Sequence, residues 1–180
     1  MILRIFEIRA QEYWSFDKQE YLVLAEKSET KLEYENGEVL DMAGSTAEHN
    51  RICLNIANVF DEKLPKGCQS FGINVRVEAT ENNSYYYPDV LAVCGEIEYS
   101  PDSPISILNP SIIVEVLSAG HTYNNMQKKL DVYKGLDSVK DVLHVESDRY
   151  LVRVFSRVTA NWEYFAYILE DTKNRYRARV

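Results

Sequence analysis

The sequence predicts one domain of mixed α/β class, with α+β character, built around a central mixed sheet flanked by helices. Apolar residues at helical spacing mark helices, and short runs of branched apolar residues mark strands. Their order along the chain is helix, hairpin, helix, three strands, helix and three strands, which is typical of mixed folds. The chain has 180 residues, enough for one sizeable core. We therefore expect residues 1–180 to form a single domain.

The first elements are predicted from capping and turn residues. Asp17 followed by Glu20 can cap a first helix that runs through about Lys27. Residues 31–42 are predicted to form a hairpin, because Asn36-Gly37 supplies the positive φ that a type I′ turn requires.

The second helix has a start and a stop in the sequence. Ser45 and Glu48 have the spacing of a capping box, and Pro65 with Gly67 ends the helix. Its predicted packed face carries five apolar residues, Ile52, Ile56, Val59, Phe60 and Leu64.

The remaining elements alternate between strands and one more helix. Strands are predicted near 69–79, 86–94 and 112–117. A helix over about 122–135 follows, with Met126, Leu130 and Tyr133 at helical spacing. Three further strands, near 141–146, 150–157 and 162–169, resemble a meander.

Cysteine content and apolar runs indicate the compartment. Cys53, Cys68 and Cys94 are an odd number without paired spacing, which argues against a disulfide framework. The longest apolar runs have strand length, so we expect no membrane span, and the first residues lack the features of a signal peptide. We therefore expect a cytoplasmic protein.

The net charge of −8 bears on any nucleic-acid function. A protein of this charge repels DNA at long range, so binding would be weak, metal-dependent or confined to a local groove. Such a groove would need basic residues that are distant in sequence to cluster in space: Arg51, Arg76, Lys128, Lys129 and Lys134.

The most informative residue is Glu115, an acid within the apolar strand 112–117. A carboxylate in such a strand loses its hydration at a cost of several kcal/mol unless a cation pairs with it. Asp89 follows Pro88 at the mouth of another apolar strand. Two carboxylates on adjacent strands form half of a divalent-metal site. The alternatives are a turn residue at Asp89 and a structural ion pair at Glu115.

The Pro-Asp pair and the later strand acid have the outline of the PD-(D/E)xK nuclease core. In that arrangement both acids bind Mg²⁺ or Mn²⁺ and a lysine orients or activates water. The lysine is expected two residues after the strand acid, where this chain has Leu117. Lys129, on the same helix face as Tyr133, can take its place. The alternative is that Lys128 and Lys129 form a solvated helix surface.

Two further groups have a functional and a structural reading. His49 has the helical phase of the packed residues and could complete a metal site, or be a histidine at the edge of the core. Glu48 could have the same role or cap the helix. Tyr85, Tyr86 and Tyr87 could stack on bases, but their strand propensity explains them more simply. His121 and His144 have no partner at ligand spacing and are predicted to be structural.

Over about residues 17–155 the sequence resembles the Uma family, a domain-of-unknown-function family assigned to the restriction endonucleases of the PD-(D/E)xK superfamily. The matching segments are 32–39, 42–45, 48–50, 87–90, 109–110 and 114–118, together with Lys129 and Tyr133.

The resemblance implies a restriction-endonuclease-like core. It also implies that Asp89 and Glu115 are the metal-binding acids and that Lys129 is the helix lysine that replaces the missing one. Glu38 and His49 match N-terminal positions with a supporting role. The family has an aspartate where this chain has Asn125, which removes one carboxylate near the metal site.

The expected function is a Mg²⁺- or Mn²⁺-dependent endonuclease that hydrolyses DNA phosphodiester bonds. Its candidate catalytic residues are Asp89, Glu115 and Lys129. A homodimer is expected, since cutting two strands requires two sites. The alternative is a catalytically silent member that binds nucleic acid or serves as an oligomeric interaction module, which Leu117 and Asn125 favour. Hydrolysis of another phosphoryl substrate is a third reading.

Overall fold

The computed structural model describes residues 15–42, 44–72, 74–118, 123–169 and 176–179. These residues contain three α-helices and twelve strands. The helices are α1 (Lys18–Lys27), α2 (Ala47–Lys63) and α3 (Tyr123–Gly135). The strands are β1 (Leu32–Glu35), β2 (Glu38–Asp41), β3 (Cys68–Phe71), β4 (Arg76–Ala79), β5 (Ser84–Tyr86), β6 (Val90–Cys94), β7 (Ser106–Ile107), β8 (Ile112–Leu117), β9 (Asp141–Glu146), β10 (Leu151–Val158), β11 (Asn161–Leu169) and β12 (Tyr176–Arg179). Among these residues, no helix combines the length and apolar character needed to cross a bilayer.

The strands form two mixed sheets. One has five strands in the order β2-β1-β5-β4-β7, and the other has seven in the order β12-β11-β10-β9-β8-β6-β3. Pairing is antiparallel except between β4 and β7 and between β8 and β9. The predicted α/β class is confirmed, with the difference that the strands divide over two sheets.

Helices α2 and α3 cover opposite faces of the seven-stranded sheet. Side chains alternate along β8, so Val114 and Val116 pack against Cys53 of α2. Ile113 points to the other face and packs against Leu130 and Tyr133 of α3. Glu115 comes two residues after Ile113 in the strand, so its side chain points to the same face and lies under α3.

The first helix and hairpin follow the prediction. Asp17 caps α1 by accepting a 2.8 Å hydrogen bond from the Glu20 amide, while the Asp17 amide donates to the Glu20 carboxylate across 2.9 Å. The turn between β1 and β2 has φ of 45° at Asn36 and 106° at Gly37. α1 packs with this hairpin around Tyr21, buried against Tyr34 and Tyr85 of the five-stranded sheet.

The second helix starts one residue later than its predicted capping box. Thr46 is the N-cap, and its hydroxyl accepts a hydrogen bond of 3.2 Å from the His49 amide. Ser45 and Thr46 are both residue types that can cap a helix, and in this chain Thr46 does so. On the packed face the prediction of Val59 was wrong, because its side chain is 51% exposed.

Strand boundaries differ most around residues 69–94. The segment 69–79 is two strands, β3 and β4, and Asn74 between them has a φ of 97° that a strand cannot accommodate. The segment 86–94 is interrupted by Tyr87, Pro88 and Asp89, which separate β5 from β6. β7 and β12 were not predicted. α3, β8 and β9 match their predicted ranges closely, although residue 122 lies outside the described residues.

The expectation that the cysteines are unpaired was wrong for two of them. Cys68 and Cys94 form a disulfide, and Cys53 remains free and buried. Cys68 and Cys94 are directly opposite each other in the antiparallel pair β3–β6. Cross-strand partners have neighbouring Cβ atoms, which brings the two sulfur atoms together.

Candidate active site

Asp89 and the backbone beside Glu115 are in direct contact. Asp89 immediately precedes β6, whose first residue, Val90, pairs with Val114 of β8. This register places the Asp89 carboxylate against β8, where Oδ2 accepts a hydrogen bond of 2.7 Å from the Val116 amide. The acid that follows Pro88 is therefore held one residue from the strand acid.

The Glu115 carboxylate is buried beneath α3. The residue is 4% exposed, and its Oε1 accepts a hydrogen bond of 2.7 Å from the Tyr133 hydroxyl. Lys129 Nζ lies 3.6 Å from the same oxygen. Glu115 therefore has the ion pair that its burial requires, and the partner is the helix lysine.

The two consecutive lysines of α3 have different environments. Lys128 is 59% exposed and lies 3.6 Å from Glu35, so the solvated reading holds for it. Lys129 is 17% exposed and points into the interior. Leu117, at the strand position where the nuclease pattern has its lysine, is buried. The ammonium group near Glu115 is therefore supplied from the helix.

Glu33 also belongs to this cluster, although the sequence analysis assigned it no role. It lies on β1, is 5% exposed and accepts a hydrogen bond of 2.7 Å from Lys129 Nζ. Glu38, the hairpin acid that was predicted to support the site, is exposed at the start of β2 opposite Glu35. Glu33 stands between Leu32 and Tyr34 in a short strand, the same pattern of an acid among buried residues that pointed to Glu115.

His49 joins Asp89 to the backbone of β8. Its Nε2 lies 3.2 Å from Asp89 Oδ2 and 3.1 Å from the Val116 carbonyl oxygen. Both partners are acceptors, so Nε2 carries the proton and donates to them. Nδ1 is then free to accept from the Cys53 thiol, whose sulfur is 3.5 Å away. His49 thus fixes the orientation of the Asp89 carboxylate from the first turn of α2.

The donor atoms around Asp89 are suited to a hard divalent cation. Ligand atoms of His49, Cys53 and Asp89 lie within 4.8 Å of one another. Burial, reinforced by Asp89, raises the pKa of Cys53 to about 12, so the thiol stays protonated and is a poor ligand. Carboxylate and carbonyl oxygens, the groups that Asp89, Glu115 and Val116 offer, are the ligand types that Mg²⁺ and Mn²⁺ prefer. Glu115 is not part of the His49, Cys53 and Asp89 cluster.

Lys129 is held in its charged form. Burial by itself would lower the pKa of this amine, but Glu115 and Glu33 outweigh that effect and raise it above its ordinary value. Burial raises the pKa of the Tyr133 hydroxyl well above 10, and the neighbouring Glu115 raises it further. Tyr133 and Lys129 are therefore constant hydrogen-bond donors at neutral pH.

The predicted basic groove does not form as described. Arg76 is 2% exposed in the five-stranded sheet, where its Nε donates to Ser106 Oγ across 2.7 Å. Lys129 is buried between acids, and the ammonium of Lys134 lies 4.7 Å from the centre of the Phe155 ring. Tyr85 and Tyr86 are fully buried and Tyr87 nearly so, which favours their structural reading over base stacking.

The remaining histidines, His121 and His144, were both predicted to be structural. His144 lies on β9 opposite Glu115 and is 5% exposed. His121 lies outside the described residues. Asn125, where the family has an aspartate, is exposed on α3.

A cleft of about 600 Å³ opens at the end of β8. Leu117 and Ser118 form its near wall, two to three residues beyond Glu115. Arg149 and Arg153 line the far wall, and both contact Glu146. Asp89, Glu115 and Lys129 are not among the described residues that line this cleft.

A mixed sheet covered by helices on both faces, with Glu115 inside one strand and Asp89 immediately before the adjacent strand, has the outline of the restriction-endonuclease-like core that the sequence predicts. The chain belongs to the Uma2 family, whose description reads "Putative restriction endonuclease" and whose model matches residues 18–175. The resemblance inferred from the sequence is thereby confirmed.

Relatives of this chain match most of its length. Two uncharacterized proteins of Synechocystis sp. are 29% identical over 140 residues and 27% identical over 130 residues. The alignments cover 77% and 72% of this chain and 79% and 67% of the relatives. A crystal structure of "a putative nuclease belonging to DUF820" from Anabaena variabilis matches with a TM-score of 0.66 and 18% identity. It covers 83% of this chain and 84% of its own, and it supports the fold.

Proposed function

We propose that this protein is a Mg²⁺- or Mn²⁺-dependent endonuclease that hydrolyses DNA phosphodiester bonds. The observation that carries the proposal is the position of Lys129 Nζ, 3.6 Å from Glu115 Oε1 on a strand whose next amide binds Asp89. This arrangement gathers two acids and a lysine, the set that the nuclease chemistry requires, although the lysine comes from a helix.

Each side chain has a distinct role in this proposal. Asp89 and Glu115, with the Val116 carbonyl, would hold the cation. When bound, the cation would lower the pKa of a water molecule and offset charge on the phosphate. Lys129 supplies a positive charge that orients water or stabilises the negative charge that develops during attack. His49 keeps the Asp89 carboxylate oriented by donating to it.

The proposal also covers assembly and location. The chain would act as one domain in a cytoplasmic homodimer, because cleavage of both strands requires two sites. The cytoplasm keeps most thiols reduced, so in that compartment the Cys68–Cys94 disulfide of the structure would form only under oxidising conditions. The net charge of −8 implies that DNA binding depends strongly on the divalent cation and weakens with salt.

The test is nicking of supercoiled plasmid in Mn²⁺ and in Mg²⁺. Asp89→Ala and Glu115→Ala proteins are purified identically, with Glu62→Ala as a control because Glu62 is an exposed residue, 68% accessible, that pairs with Lys63. We expect nicking by the wild type and Glu62→Ala and none by the two site variants. Equal nicking by all four proteins would identify a contaminant and overturn the assignment of the site.

Calorimetry with Mn²⁺ separates the enzyme from a catalytically silent relative. An enzyme should bind Mn²⁺, and Asp89→Ala should abolish that binding. A silent module would bind DNA equally well in the presence of a chelator and show no Mn²⁺ heat, which would contradict the proposal.

A further inference from the structure

Glu33 is a buried carboxylate on β1, and the cation that pairs with it among the described residues is Lys129 of α3. Its Oε1 accepts the Tyr87 amide across 3.0 Å and Lys129 Nζ across 2.7 Å. Burial raises the pKa of Glu33, and Lys129 opposes this increase. The ammonium group is therefore the charge that stabilises this acid, and the Tyr87 amide fixes where the acid lies.

The two acids around Lys129 are not equivalent. Nζ is 2.7 Å from Glu33 Oε1, a hydrogen-bonding distance, and 3.6 Å from Glu115 Oε1. Nζ also lies 5.2 Å from the centre of the Tyr86 ring, whose face attracts a cation. Glu33 and Tyr86 belong to the five-stranded sheet, whereas Glu115 belongs to the seven-stranded sheet. Lys129 is therefore anchored mainly by the five-stranded sheet, and not by the seven-stranded sheet that carries Glu115.

An anchor of this kind is required because the lysine is displaced from the strand. A lysine on β8 would start from the same strand as Glu115, whereas Lys129 reaches Glu115 from a helix, through four rotatable side-chain bonds that also allow it to turn towards solvent. The side chain of Lys128, one residue earlier, is mostly exposed to solvent. The contact with Glu33 prevents such exposure for Lys129 and leaves the remaining ammonium hydrogens available on the Glu115 side.

We infer that Glu33 is a positioning residue of the proposed nuclease site, which holds the Lys129 ammonium beside Glu115. The inference rests on the proposed function for its catalytic consequence, but the pairing itself can be measured without any activity. It also assigns Lys129 the role of a fixed cation rather than a base that accepts a proton.

The matched experiment uses Glu33→Gln and Glu35→Gln. The first keeps an oxygen for the Tyr87 amide and removes the charge, and the second makes the same change two residues along β1, beside the exposed Lys128. The alkaline titration of Lys129 is followed by NMR of ¹³C-labelled lysine, with the signal assigned from Lys129→Arg. In Glu33→Gln we expect the neutral fraction of Lys129 at a given alkaline pH to rise about tenfold or more. Glu35→Gln should leave it unchanged.

The kinetic readout follows kcat against pH in Mn²⁺. Loss of Glu33 should lower kcat about tenfold to a hundredfold with little change in KM and move the alkaline decline to lower pH. In a Lys129→Ala background, Glu33→Gln should have no further effect. Glu33→Asp, which keeps the charge, should retain the Lys129 titration of the wild type, and circular dichroism checks that each variant is folded.

The outcomes separate the two proposals. An unchanged Lys129 titration in folded Glu33→Gln overturns the inference even if the wild type cleaves DNA. An additive loss of kcat in the double variant also overturns it, because Glu33 would then act independently of Lys129. A wild type that never cleaves DNA sinks the proposed function, while the NMR titration still decides whether Glu33 holds Lys129.

Discussion

The Tyr133 hydroxyl donates a hydrogen bond of 2.7 Å to Glu115 Oε1, and so joins the third turn of α3 to the centre of β8. Tyr133 is fully buried and Glu115 nearly so. The bond therefore sets the rotation of the carboxylate that the proposed cation would bind. It also couples helix packing to the geometry of the site.

Replacing Tyr133 by phenylalanine should destabilise the protein by about 1.5–3 kcal/mol, because a buried carboxylate loses a hydrogen-bond donor. Urea unfolding measures this change. Tyr150→Phe is the control, since Tyr150 is 77% exposed. Equal stability of the two variants would show that Glu115 does not depend on the hydroxyl.

Lys129→Met should be far more damaging than Lys128→Met. The first leaves Glu33 and Glu115 buried without their cation, and breaking a buried pair costs about 3–5 kcal/mol. Lys128 is mostly exposed, and loss of its pair with Glu35 should cost less than about 1 kcal/mol. The free energy of unfolding at pH 7 gives both values, and similar losses would argue against a buried Lys129.

Glu146 should contribute stability that disappears in acid. Burial by itself would raise its pKa, but Arg153 and Arg149 outweigh it and lower the pKa below 4.5. A carboxyl with a lowered pKa in the folded state stabilises the protein above 4.5, and this contribution is lost as the pH falls through the folded value. Glu146→Gln should therefore lower stability at pH 7 by about 1 kcal/mol or less and flatten its acid dependence.

Thermal unfolding between pH 3 and pH 7 tests that expectation. Glu163→Gln, an exposed acid on β11, serves as the comparison. A Glu146→Gln protein that loses stability in acid as steeply as the wild type would refute the assigned ion pairs.

The Cys68–Cys94 disulfide closes a loop with a sequence separation of 26. Replacing both cysteines by serine should lower stability by about 3 kcal/mol relative to the oxidised protein, because the unfolded chain regains the entropy of the open loop. A reductant should lower the stability of the wild type by a similar amount and leave the double variant unchanged. A wild type insensitive to reductant would mean that the two thiols are not linked in solution.

Local patterns in the sequence were sufficient to single out the two candidate acids and to predict most elements. Glu115 is conspicuous because a charged residue in an apolar strand needs a partner, and Asp89 because it starts the adjacent apolar strand. The helical phase that Lys129 shares with Tyr133 placed the lysine on the correct face of α3. Each of these signals is local, and each acts over a few residues.

The features that local patterns missed depend on pairings between distant segments. The role of Glu33 requires β1 to pair with β5, as Tyr34 does with Tyr85, which brings the hairpin to α3. The disulfide requires the register of β3 against β6. No spacing within either segment encodes these pairings. The supporting role of Glu38 was implied by the family resemblance, and the odd number of cysteines argued against a disulfide framework.

The contact between Glu33 and Lys129 joins residues 96 positions apart and bridges the two sheets. During synthesis on the ribosome, a nascent chain that has emerged only as far as β8 already carries Asp89, Glu115 and Glu33. It lacks α3, and with it the lysine. The proposed chemistry therefore requires α3, which ends at Gly135, to be translated and to fold onto the rest. Under the proposed function, a chain that ends before α3 would lack the ammonium group that the reaction needs.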